Sequence, residues 1–208
     1  MKQKKEVKSI VFDLGGVVVP DRSKLIESRI ADKLSISKSL IHRLKISFDG
    51  QLSKGKKSLT DFFSELILKI NSQISKEDLL AFYLNIYEKT SSKQNKKIVD
   101  LIKRLKKHHN VSCITNTEIE IARFNEKAGL FNNFHNSFIS CKLGMKKPDK
   151  AIFEYTLKIL GLEPQEIIFI DDKEEFLHTP KKLGLNTILF KNNNQLIKDL
   201  KKLGVKIL

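Results

Sequence analysis

Five short apolar runs recur along the chain, and what separates them decides what they can build. They are Ser9–Phe12, Val111–Ile114, Ser137–Ser140, Ile167–Ile170 and Thr187–Phe190. Runs this short, without polar alternation, read as strands buried on both faces, the kind that parallel sheets contain. Helical spacing lies between them: Ile98, Leu101, Ile102 and Leu105, then Ile152, Phe153, Leu157 and Leu160, closed by Gly161. Strands alternating with helices predict an α/β fold built as a Rossmannoid, doubly wound parallel sheet.

Residues 21–92 break that rhythm. They hold amphipathic helical patterns, "SKLIESRIADKL", "SKSLIHRLKISF", "SLTDFFSELILKI" and "SKEDLLAFYLNIYEK", with no convincing strand. Ser58 and Thr60 offer cap hydroxyls to the third, and Ser75 with Asp78 opens the fourth. The expected organisation is a core domain of residues 1–20 and 93–208 and a helical cap domain of residues 21–92 inserted after the first strand. A length of 208 residues accommodates one full core and one small module. The stripe of Phe62, Phe63, Phe82, Tyr83 and Tyr87 reads as the insert's own core rather than a dimer face, and the oligomeric state is not legible.

The formal net charge of +15 raises nucleic-acid binding as a function. The lysines are scattered over the polar faces of the helical segments, which reads as a solvated surface and makes nucleic acid an unlikely partner without removing it. Cys113 and Cys141 each sit in apolar stretches and read as reduced, buried thiols. The basic start has too few apolar residues before Asp13 for a signal or membrane segment, so a cytoplasmic protein with no membrane partner is expected.

Ligands of open parallel sheets bind outside the carboxyl ends of the strands. Those ends carry Asp13, Thr115–Asn116, Lys146–Lys147–Pro148 after a short loop, and Asp171–Asp172. Singly, each has an ordinary reading as a turn or cap residue. Together they are harder to set aside, because adjacent carboxylates at a buried edge repel by roughly 4 kcal/mol at 4 Å in an effective dielectric of about 20 and call for a counter-charge. Pro148 is placed as a first helical residue, which puts Lys146 and Lys147 at the positive end of a helix, where cations are disfavoured. Three carboxylates with a hydroxyl, an amide and an ammonium form a hard, oxygen-rich site suited to Mg²⁺ and a phosphate ester.

The order "VFDLGG", "ITN", "KKPDKAIF", "FIDD", with the spacing "GMKKPDKAIFEYTLKILGLEPQEIIFIDD", resembles the haloacid dehalogenase superfamily of phosphohydrolases over almost the whole chain. The resemblance implies Asp13 as nucleophile through an aspartyl-phosphate, with Thr115 holding a phosphoryl oxygen and Lys147 neutralising charge. It implies Asn116 and Gly16 at the substrate, and Mg²⁺ held by Asp13, Asp172 and the carbonyl of Gly15, with Asp171 as a direct or indirect partner. The expected substrate is a small phosphorylated metabolite.

Two departures stand out. Phe176 occupies a place where the resemblance expects Asn, with Pro180 where a helix interior should run. Gly15 stands where most phosphatases of this kind carry a second Asp that protonates the leaving oxygen, help worth about 10²–10⁴-fold. Asp21 is a candidate substitute, and His42, Asp49, Gln51 and Lys54 are candidate specificity residues in the insert. Two alternatives remain at this level: a binding or regulatory protein that lost efficient chemistry at Gly15, and a metal-free dehalogenase, against which Asp171–Asp172 speaks.

Overall fold

The computed structural model of the chain describes residues 5–91 and 94–207. The boundary between insert and core at residues 92 and 93, and the basic residues Lys2 and Lys4, lie outside them. Strands β1 (Ser9–Phe12), β2 (Asn110–Thr115), β3 (Asn136–Ile139), β4 (Ile167–Asp171) and β5 (Asn186–Leu189) form one parallel sheet in the order β3-β2-β1-β4-β5. Helices are α1 (Ser23–Leu34), α2 (Lys38–Leu52), α3 (Leu59–Ile70), α4 (Lys76–Ser91), α5 (Lys96–Leu105), α6 (Ile119–Lys127), α7 (Ser140–Leu143), α8 (Lys150–Leu160), α9 (His178–Lys182) and α10 (Asn193–Lys202).

The period-two alternation of the strands sorts the core into two layers. Ile10, Phe12, Val111, Cys113, Ile168 and Ile170 pack with Ile98 and Ile102 of α5 and Leu196 and Leu200 of α10. Val11, Ile114, Ile167 and Phe169 point the other way, against Ile152 and Phe153 of α8. Phe153 and Phe169 meet edge to face at 5.3 Å, a pairing that adds about 0.5–1.5 kcal/mol to their burial. Helices cover both faces, so the sheet is doubly wound as its sequence predicts.

Helices α1 to α4 have a separate apolar cluster that includes Leu52, Phe62, Phe63, Leu66, Leu79 and Tyr83, joined by Ile121 of α6. The aromatic stripe of the insert lies in this cluster, with Phe82 partly buried at its edge. Of the two candidate cap hydroxyls, Ser58 closes a capping box with Asp61. Ser75 and Asp78 reciprocate at the start of α4 (2.7 and 3.0 Å).

Three expectations are corrected. Ser140 opens α7 rather than ending β3, and its hydroxyl accepts from the Thr117 N–H at 3.0 Å. Pro148 is not a first helical residue. A turn closed by the Asp149 N–H on the Lys146 carbonyl (2.9 Å) encloses it, the Lys147–Pro148 peptide is cis, and α8 starts at Lys150. Pro180 does not break a long helix, because α9 is one short segment and places it in the first turn, where its missing N–H is no loss.

Candidate active site

The site forms at the carboxyl ends of β1, β2 and β4, because these three strands are adjacent and in register. Asp13 follows β1 and keeps the ladder through its N–H to the Ile170 carbonyl (2.8 Å), while its side chain is buried. Thr115 ends β2, is buried beside the cavity, and its hydroxyl has no hydrogen-bond partner among the described residues.

Lys147 comes from the 146–149 turn and is 1% exposed. Its ammonium donates to Asp13 at 2.6 Å and to Asp171 at 2.5 Å. The rings of Phe176 and Phe169 flank it, with centroids 5.0 and 5.5 Å away. Phe176, the departure from the expected Asn, thus supplies a cation–π face in a desolvated place. Burial works against the ammonium, but Asp13 and Asp171 outweigh it and raise its pKa above the ordinary value. The second oxygen of Asp171 accepts from the Lys173 N–H (2.9 Å), so both of its oxygens are engaged by protein groups.

Asn116 holds the same turn. Its carboxamide donates to the Lys147 carbonyl and accepts from the Lys147 N–H, both at 2.9 Å. The sequence points Asn116 at a substrate; in the fold it lines the cavity and also fixes Lys147.

Lys147 pairs with two of the three carboxylates here, and Asp172 has only the Lys173 ammonium acting on it, without an ion pair. Asp13, Asp171 and Asp172 each offer an oxygen within 4.8 Å of the others, and Asp172 Oδ1 is buried with no hydrogen-bond partner. Burial raises the pKa of Asp13, with Asp171 and Asp172 adding to the rise and Lys147 opposing it; burial and Asp171 raise Asp172. A second cation would relieve that crowding. The turn after β1 uses the Leu14 carbonyl and the Gly16 N–H, the latter to Val19 at 2.7 Å, and leaves the Gly15 carbonyl without a donor among the described residues. An orphaned carboxylate oxygen, a second carboxylate and an unclaimed carbonyl are the hard oxygen donors that Mg²⁺ takes, so the residues present fit such an ion.

The two glycines differ. Gly16 has φ +82°, and a Cβ there would lie 2.1 Å from Asp172 Oδ2, so the close approach of Asp172 demands glycine. At Gly15 a Cβ would have Asp13 Oδ2 as its nearest neighbour, at 4.0 Å, an ordinary contact, so a Cβ is admitted there.

The strand ends open into a cavity of about 480 Å³ whose far wall comes from the insert. His42 and Asp49 line it; Gln51 and Lys54 do not. Asp49 pairs with Lys146, and Lys54 with Asp149 at 2.7 Å, so the insert grips the turn on either side of Lys147. Gly55 sits where a Cβ would meet the Cys141 carbonyl at 2.2 Å. Burial works to raise the pKa of Asp21, but hydrogen bonds from Ser23, with Lys173 and Lys45 nearby, outweigh it and hold it below the usual value. An acid held ionised is a poor proton donor. The sequence reading missed Arg22, Tyr87 and Asn125 in the wall. In a chain this rich in cations, one buried arginine carries no mark.

The doubly wound sheet, its strand-end carboxylates and the buried lysine define a hydrolase site of one kind, and the comparison with known proteins agrees. A family model described as haloacid dehalogenase-like hydrolase matches residues 7–184, and the chain belongs to that family. The chain is 27% identical over 192 residues to the D-ribitol-5-phosphate phosphatase of Bacteroides thetaiotaomicron, a match covering 87% of this chain and 90% of that one. A predicted HAD-like family hydrolase from Porphyromonas gingivalis has the same fold, with TM-score 0.77, 23% identity and coverage of 97% and 100%. So does a B. thetaiotaomicron HAD family enzyme solved with magnesium and inorganic phosphate, at TM-score 0.72 and 21% identity, covering 91% and 98%. Among the described residues no helix is long and apolar enough to cross a membrane.

Proposed function

We propose that the chain is a Mg²⁺-dependent phosphatase that hydrolyses a small phosphorylated metabolite through an aspartyl-phosphate on Asp13, with residues 21–92 acting as a cap over the site. The observation that carries this reading is the Lys147 ammonium bridging Asp13 and Asp171 beside the unpartnered Asp172 Oδ1. The phosphatase that it resembles in sequence, and the magnesium and phosphate bound to a structural neighbour, support it.

An Asp13 oxygen attacks phosphorus, and the ester bond breaks with its electron pair on the leaving oxygen. That oxygen takes its proton from solvent, because Gly15 carries no acid and Asp21 is held ionised. Thr115 donates its hydroxyl to a phosphoryl oxygen, and Lys147 offsets the negative charge of nucleophile and transferring group. Water then attacks phosphorus, releasing inorganic phosphate and the Asp13 carboxylate. Mg²⁺, held by Asp13, Asp172 and the Gly15 carbonyl, would supply charge neutralisation on the phosphoryl oxygens. Positioning and charge stabilisation are most of what phosphoryl transfer requires.

The test is hydrolysis of p-nitrophenyl phosphate, whose leaving group needs little protonation. Turnover is expected with Mg²⁺, absent with a chelator, and abolished in Asp13→Asn. No turnover with any divalent cation sinks the reading and returns the chain to the binding-protein alternative.

A further inference from the structure

Arg22 is the N-cap residue of α1, where the chain leaves the β1 turn for the insert, and its side chain is unusually placed for a charge. The residue is 7% exposed and borders the cavity. One guanidinium nitrogen donates to the Thr90 carbonyl near the end of α4 (3.0 Å), and the group lies over the Tyr87 ring at 5.0 Å. Its Nε is buried with no hydrogen-bond partner, and none of the ion pairs among the described residues includes it. A guanidinium has five N–H donors in a planar fork that matches a carboxylate or phosphate; the adjacent Asp21 carboxylate acts on it electrostatically but forms no ion pair with it, so the buried Nε is left without an acceptor, which is costly.

The transferring phosphoryl group is served elsewhere. Lys147 and Thr115 stand at the strand ends, whereas Arg22 is fixed against the wall formed by α4 and α6, where the Tyr87 hydroxyl donates to Asn125 at 3.0 Å. The cavity joins the two walls, and its volume exceeds what a phosphate needs. We propose that Arg22, with Tyr87 and Asn125, forms a second subsite that takes an acidic group on the organic part of the substrate, so that the preferred substrates are phosphate monoesters of hydroxy acids. This rests on the phosphatase reading and names its substrate class.

The experiment compares 3-phosphoglycerate with glycerol 3-phosphate, which differ by a carboxylate against a hydroxymethyl group, with p-nitrophenyl phosphate as the activity control. In the parent, kcat/KM favours the acid by about 10- to 100-fold, the range of a charge-assisted hydrogen bond, and the preference lies in KM. Arg22→Met brings the ratio close to one, and Arg22→Lys keeps part of it. Because each ratio is taken within one preparation, a partly folded variant still reports. A parent ratio at or below one, with p-nitrophenyl phosphate still hydrolysed, overturns the inference and leaves the phosphatase standing. An unchanged ratio in Arg22→Met, or loss of both esters by one factor, overturns it too, since Arg22 would then serve the phosphoryl group or the linker. No turnover of any ester removes the phosphatase reading and this inference together.

Discussion

Asn116 and Lys147 hold one another by two hydrogen bonds of 2.9 Å, one in each direction, between a carboxamide at the end of β2 and the backbone of a residue 31 positions away. This pair sets where the Lys147 ammonium can reach.

Asn116→Ala removes both bonds and leaves a buried N–H and C=O unpaired, a loss of about 1–3 kcal/mol. The expected outcome is kcat on p-nitrophenyl phosphate lower by about 10- to 100-fold, with a reduced melting temperature. Asn116→Asp keeps an acceptor for the Lys147 N–H and is expected to fall in between. Full activity in Asn116→Ala would show that Lys147 is held by its carboxylates alone.

The glycine pair makes opposite predictions. Gly16→Ala forces a Cβ into the Asp172 carboxylate and is expected to lower both activity and Mg²⁺ affinity. Gly15→Asp meets no such obstacle and places an acid beside Asp13. It is expected to raise turnover of glycerol 3-phosphate selectively, with little gain on p-nitrophenyl phosphate, read as the ratio of the two kcat/KM values. A uniform change would mean that protonation of the leaving oxygen is not limiting.

Mg²⁺ is expected to stabilise the fold, since three carboxylates crowd together with Asp172 Oδ1 unpartnered and only Asp13 and Asp171 paired to the Lys147 ammonium. At 100 times Kd, ligand linkage gives about 2.7 kcal/mol, which raises the melting temperature of a chain this size by about 5–10 °C. Asp172→Asn is expected to shrink that shift. Equal shifts in parent and variant would place the ion elsewhere.

The insert has its own pH signature. Hydrogen bonds from the Ser58 N–H and hydroxyl hold Asp61 below its usual pKa. A depressed folded pKa contributes stability that is present above the unfolded value of 3.8 and is lost as pH falls through the lower, folded one. Asp61→Asn is therefore expected to lower the melting temperature at pH 7 and to make little difference once Asp61 is protonated in both states. A gap that persists at the acid end would show that the charge of Asp61 is not what matters.

Much of the fold is legible in the sequence because it rests on local signals. Strand β1 has the bounds its apolar run implies, and once "IIFID" is a strand its period of two puts Ile168 and Ile170 on one face and Ile167 and Phe169 on the other. The grouping of Asp13, Thr115, Lys147 and Asp172 follows from strand ends meeting at one edge. What escapes a sequence reading depends on contacts between distant segments. That Asn116 fixes the Lys147 backbone from the cavity wall, that Phe176 covers an ammonium, and that Arg22 is buried are facts of tertiary approach with no periodicity to announce them. The start of α8 is misplaced by sequence because Pro148 fits a helix start and a turn equally well.

The turn at residues 146–149 is gripped from every side: Asn116 from the sheet, Asp49 and Lys54 from the insert, Asp13 and Asp171 at the tip of its lysine. A long, flexible side chain ordinarily surrenders about 1.5–2 kcal/mol of rotamer freedom when it is fixed. Here that ordering is completed as the chain folds, before any ester arrives. In the proposed reaction the activation entropy is correspondingly relieved of it, and the lysine meets the developing charge without having to be gathered into place.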